Sequence, residues 1–176
     1  MSGKKSNIVK LSKDVTAYKL LKDGNDSLVI RTTSGIGNGL FGVNGPDELN
    51  VLYYGTLSLL KANEEEIKSI SKFGQEEKLI DILEEGDLKK MNEVAVSVSN
   101  NKDELRIGRI CLRFHLGKAA QISLFRYDVT ETFAQTGIYL FTSTIVKLVK
   151  YISTIFGVGE TPFSFIDFKN DDFLDM

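Results

Sequence analysis

Residues 37–42, Gly37-Asn38-Gly39-Leu40-Phe41-Gly42, fit the dinucleotide pattern G-x-G-x-x-G. In that chemistry the glycines bring backbone N–H groups against a pyrophosphate and lead into a helix whose positive end holds it. Here Val43-Asn44-Gly45-Pro46 follows, so no helix is expected to start in time, and residues 35–46 read as a flexible glycine-rich loop. Its Leu40-Phe41 pair is then an apolar contact point for a second subunit or a membrane. Cys111 and His115 are the sole residues of their kinds. On one strand they stand roughly 13 Å apart, too far for a nucleophile and its base, and they lack companions for a metal site. The acid pairs Glu64–Glu66, Glu76-Glu77 and Glu84-Glu85 occupy expected helix positions where solvated acids are ordinary. The reading is a protein without catalytic residues, metal or cofactor.

The stronger signal is basic. If Leu105–Leu116 is one strand, alternation sets Arg109, Arg113 and His115 opposite Ile110, Leu112 and Phe114. Arg126 follows on the next strand and Lys118 lies in the turn between them. These cations suit phosphate, and the N-terminal Lys4, Lys5, Lys10 and Lys13 add to them. Phe125 and Tyr127 beside Arg126 suit stacking on bases. The plainer alternative is the polar side of a half-exposed sheet, and no helix-turn-helix, zinc-finger or RNP signature accompanies the arginines.

The elements that must position these residues follow from composition and pattern. At 176 residues, 42% hydrophobic and 26% charged, the chain is expected to form one globular domain. A single cysteine allows no internal disulfide and fits a reducing, cytoplasmic compartment. No secretory signal is read at the start, and the longest apolar stretch, Ile138–Phe156, carries Lys147 and Lys150 and is not expected to span a membrane. Val15–Leu21 and Ser27–Thr33 read as a hairpin, and Leu49–Leu60 as a strand. Asn63 opens a helix with Ile67, Ile70 and Phe73 that Gly74 breaks, and Gln75–Glu85 forms a second short helix. Val94–Val98, Leu105–Leu116 and the strand of Ile122 and Leu124 make a meander. From near Thr130 to Gly157, apolar residues at three- and four-residue steps predict one long amphipathic helix. The expected fold is α+β, an antiparallel sheet or meander packed against a long C-terminal amphipathic helix and a shorter kinked helix. Residues 1–13 are expected to be a mobile basic arm, 14–159 a single globular domain, and 160–176 an acidic aromatic tail.

The charge layout is segregated. Residues 1–22 hold six lysines against Asp14, whereas residues 160–176 hold five acids against Lys169, beside Phe163, Phe165 and Phe168. This layout, with the lysine-bearing start, the small α+β body, the strand leading into the Asn63 helix, the late meander and the apolar loop, resembles the matrix proteins of rhabdoviruses, especially the short ones of plant-infecting cytorhabdoviruses. The resemblance implies a non-enzymatic structural protein that self-associates into a lattice; the residues read from the sequence for such contacts are Leu40 and Phe41 of the loop and Phe163 and Phe165 of the tail. It implies nucleoprotein or RNA and an anionic membrane surface as partners of the basic residues, and a place in the virion. From the residues alone, two other functions stand beside it. One is single-stranded nucleic-acid binding on the arginine-bearing sheet face. The other is an accessory role, binding a host partner through the C-terminal tail.

Overall fold

The computed structural model describes residues 4–22, 24–34, 37–70, 103–126 and 137–159. Within them the chain is α+β, with two four-stranded antiparallel sheets and helices packed between and beside them. The first sheet is a meander of β1 (Lys4–Ser12), β2 (Val15–Lys22), β3 (Asn25–Ser34) and β4 (Gly37–Asn44), in that order. The helices α1 (Gly45–Ala62) and α2 (Glu64–Ile70) follow. The second sheet is again a meander, β5 (Glu104–Ile107), β6 (Ile110–Leu116), β7 (Ala120–Arg126) and β8 (Ile138–Phe141), and it runs straight into α3 (Thr142–Phe156).

The expected Val15–Leu21 hairpin is present, with Ala17 opposite Ile30 and Lys19 opposite Leu28. Several expectations fail for identifiable reasons, three of them in the first half of the chain. Residues 4–12 are a strand rather than a mobile arm, because Val9 and Leu11 are buried and the segment pairs with β2. The glycine-rich stretch is β4 rather than a loop. Leu28, Ile30 and Thr32 of β3 face Val43, Phe41 and Gly39 of β4, so the period of two wins over the glycines. Leu49–Leu60 is helical. Pro46 stands in the first turn with Asp47 and Glu48 on the positive end of the dipole, and Leu49, Tyr53, Leu57 and Leu60 are buried at helical spacing.

The long C-terminal helix is shorter than expected. Ile138 and Leu140 are buried while Tyr139 and Phe141 are exposed, the alternation of a strand, and α3 starts only at Thr142. Its end at Gly157, in the left-handed conformation, is as expected. Leu105–Leu116 is two strands, since Gly108 at φ +59° allows a tight turn that sets Ile107 opposite Ile110. Asn63 closes α1, its side-chain amide donating to the Leu59 carbonyl at 3.0 Å, as well as opening α2. The segments expected at Gln75–Glu85, Val94–Val98, Thr130–Phe133 and Pro162–Phe168 lie outside the described residues.

The two sheets share one core. Val9, Leu28, Ile30 and Phe41 of the first and Leu112, Ile122, Leu124 and Leu140 of the second enclose α1 and the Ile145–Ile152 stretch of α3. Where α1 crosses β6, a Cβ at Gly55 would come within 2.6 Å of the Leu112 side chain, so glycine sets that approach. The approach of the sheets themselves is set at Gly39. A Cβ there would lie 2.6 Å from Thr32 Oγ1, 2.7 Å from Ile138 Cγ2 and 3.0 Å from the Gly137 carbonyl. Gly39→Ala is therefore expected to lower stability by about 1–3 kcal/mol by forcing β4 from β8. Urea unfolding with an unchanged m-value reads this, and an unaltered midpoint would refute it.

Candidate nucleic-acid interface

The inner face of the second sheet is core, which leaves its outer face to be read. Pairing fixes the rows on that face. Glu104, Arg113, Ser123 and Tyr139 form one row, His115, Gln121 and Phe141 a second, and Arg106, Cys111 and Phe125 a third. Three large aromatic residues in these rows are exposed, Phe125 at 37%, Tyr139 at 64% and Phe141 at 51%. A sheet face that leaves aromatics in water forgoes their burial, which makes it a candidate contact surface.

The polar groups between the aromatics are ordered. His115 Nε2 and Ser123 Oγ are 3.0 Å apart, and the His115 ring stands 5.4 Å from that of Tyr139. Arg113 donates through Nε and Nη2 to one Glu104 oxygen, at 3.1 and 2.7 Å, while Arg106 approaches the other at 3.4 Å. Both arginine side chains stay about half exposed. Such a surface pair stabilises by no more than about 1 kcal/mol, so a phosphate can compete for the guanidinium. A cleft of about 300 Å³ lies between Arg113, Ser123, Phe125 and Tyr139, with buried Cys111 among its walls. A second, of about 580 Å³, runs from Tyr139 and Phe141 to Thr32, Thr33 and Asn38 of the first sheet. Tyr139 lines both, so the two clefts lie side by side at β8.

The structure separates the residues expected to act together. Arg113 and Phe125 are on this face. Arg109 is exposed in the β5–β6 turn rather than on a strand, and Lys118 is exposed in the β6–β7 turn. Arg126 is on the opposite face, 4% exposed, because strand alternation from Ile122 and Leu124 turns it inward. There its Nη1 donates to Glu48 at 2.6 Å and to the Gly42 carbonyl at 3.0 Å, and its Nη2 donates to Glu48 at 3.2 Å. It is a structural residue, not a phosphate ligand. Lys4, Lys5 and Lys10 are exposed on β1 and Lys13 in the turn after it, all on the first sheet. Leu40 is half-buried and Phe41 is 2% exposed in the core, so that pair offers no exposed tip. Phe163 and Phe165 lie outside the described residues.

Sequence reasoning missed Tyr139 and Phe141 because it gave Ile138–Phe156 to one helix. The signal in the sequence was Gly137 just before the segment; the alternation of Ile138–Phe141 is one of burial, which the sequence does not show. Cys111 and His115 both lie on β6, and His115 engages Ser123 rather than the thiol. Among the described residues no group of three or more His, Cys, Asp or Glu is placed to hold a metal ion, and no helix is long and apolar enough to cross a membrane. No family model matches the chain, and neither a curated protein nor a solved structure matches it.

The two arginines should part company on mutation. Arg126→Ala takes the guanidinium from the Gly42 carbonyl and from a Glu48 carboxylate that keeps the Asn44 N–H, and is expected to destabilise by about 2 kcal/mol. Arg113→Ala is expected to change stability by no more than about 0.5 kcal/mol. Thermal unfolding of both variants measures the contrast, and equal midpoints would contradict the division into structural and surface roles.

Proposed function

We propose that this protein binds single-stranded nucleic acid on the outer face of its second sheet, without catalysis. The observation that carries the reading is the exposure of Phe125, Tyr139 and Phe141 on one open antiparallel face beside Arg113 and Arg106. Unpaired bases stack on such rings whatever their sequence, at about 1–3 kcal/mol per base. Ser123, Gln121 and His115 between the rings supply hydrogen-bonding groups for base edges or sugar hydroxyls. The groove past Phe141 gives the strand a continuation toward Thr33 and Asn38.

The chain has six tyrosines and no tryptophan, so stacking on Tyr139 is expected to quench intrinsic tyrosine fluorescence. Titration of fluorescein-labelled single-stranded DNA and RNA oligonucleotides, read by anisotropy, gives the affinity of every variant, Tyr139→Ala included. Phe125→Ala and Tyr139→Ala are each expected to weaken it about tenfold. With Arg106 and Arg113 as the phosphate ligands, log K should fall against log salt with a slope of only about −1 to −2. An affinity indifferent to both aromatic substitutions overturns the reading.

A second reading, a self-associating structural protein of the matrix type, is favoured by a different property of the same strand. β8 is an edge strand of its sheet, and an outermost strand with exposed aromatic residues is a template for pairing with another copy. In that reading nucleoprotein or an anionic membrane would meet the lysines of β1. Sedimentation velocity without nucleic acid distinguishes the two. Concentration-dependent oligomers that Tyr139→Ser abolishes would favour assembly, and a persistent monomer would remove it.

A further inference from the structure

The cleft of about 580 Å³ differs in chemistry from the aromatic face it adjoins. It has the size of a small-molecule site. Among the described residues that line it there is no lysine or arginine, and the one charged group is Asp14, exposed in the turn between β1 and β2. Thr33 donates its backbone N–H to the Asp14 carbonyl at 2.9 Å, and Asn38 of β4 stands directly opposite Thr33. Gln121 enters from β7, opposite Phe141. Thr32 Oγ1 accepts the Gly39 N–H at 3.0 Å, which leaves its own proton to donate. Thr144, in the first turn of α3, lines the cleft while only 5% exposed, and its hydroxyl has no hydrogen-bond partner among the described residues. A hydroxyl so nearly buried costs free energy until a polar group pairs with it, so this wall calls for a hydrogen-bonding occupant.

The charge of the cleft selects among the parts of a nucleotide. A phosphate is repelled by the Asp14 carboxylate and meets no cation in the lining. A sugar hydroxyl instead donates to that carboxylate in a charge-assisted hydrogen bond, and the amides and hydroxyls around it can pair with the same oxygen. Tyr139 belongs to both clefts, so a base stacked on its ring brings a sugar to the mouth of this one. We propose that the cleft reads the ribose 2′-hydroxyl, with Asp14 as its acceptor and Thr33 and Asn38 beside it, so that the strand held by the second sheet is RNA rather than DNA. The proposal rests on the nucleic-acid reading of Phe125 and Tyr139. It adds a choice of sugar that stacking cannot make, since the rings accept the bases of either polymer, whereas the 2′-hydroxyl is present in RNA alone.

Short oligocytidines labelled with fluorescein and read by anisotropy compare three sugars on one base: ribose, deoxyribose and 2′-O-methylribose. The ribose strand is expected to bind about tenfold tighter than the deoxyribose strand. The 2′-O-methyl strand, which keeps the oxygen but has no proton to donate, should bind as weakly as DNA. Asp14→Ala and Asn38→Ala, both at exposed positions, should each bring the RNA-to-DNA affinity ratio toward one. Equal binding of RNA and DNA that still depends on Tyr139 overturns the proposal and leaves the stacking reading in place. A 2′-O-methyl strand bound as tightly as RNA overturns it too, because the hydroxyl proton would then not be read. So does an RNA preference that neither substitution moves, which would assign the choice of sugar to another surface. Failure of all three strands to bind removes this proposal and the stacking reading together.

Discussion

The Glu48 carboxylate ties together elements that would otherwise meet only through apolar contact. It stands in the first turn of α1, accepts the Arg126 guanidinium from β7 through both its oxygens, and accepts the backbone N–H of Asn44 at the end of β4 at 2.7 Å. Arg126 in turn holds the Gly42 carbonyl, and Asn44 accepts from the Ser27 hydroxyl of β3. Hydrophobic burial is non-directional and would let two sheets slide over a shared core. A fork of charged hydrogen bonds is directional and has one good geometry. This pair therefore supplies a directional tie between the two sheets, while Gly39 separately lets β4 come close to β8.

The described chain uses one topology twice. Four strands in a simple meander run without a linker into a long helix, at Asn44–Gly45 and again at Phe141–Thr142. The two halves differ in what their outer faces do. The first sheet buries a second cluster under its outer face, whereas the second leaves three aromatic rings in water. A scaffold with no function on that face would gain by placing polar residues there. The exposed rings, with arginines between them, are what support the proposal that the second sheet is the surface that meets a ligand.

Much of this was legible in the sequence where one period dominates. The β2–β3 hairpin, the strands around Leu112 and Leu124, and the end of α3 at Gly157 follow from alternation and from glycine. Failures came where two signals compete. Leu49–Leu60 is apolar on nearly every side because α1 is enclosed, so its helical period is blurred, and the start signal at Pro46-Asp47-Glu48 was the better guide. Ile138–Phe141 fits a helix and a strand equally at its apolar positions, and the exposed partners Tyr139 and Phe141 decide only once the sheet is known. Arg126 was given to the wrong face because a cation was assumed to face water. Strand parity from Ile122 and Leu124 already pointed it inward. No sequence repeat announces the duplicated topology, since each half needs only its own alternation.

The moved arginine alters the chemistry of the interface as well as its map. Net charge on the chain is −2, and with Arg126 withdrawn the outer face of the second sheet keeps Arg106 and Arg113 against Glu104. That is a weak field, too weak to steer a polyanion from a distance. In the proposed binding mode, affinity on this face would come mainly from rings on bases, with arginine fixing the phosphate between them. A surface that works by stacking tolerates any base, because every base has a π-face, and it tolerates salt better than one that works by counterion release. Under that proposal the face would also favour unpaired strands over duplexes, whose bases are already stacked on one another and cannot reach Tyr139 or Phe125 without being pulled apart.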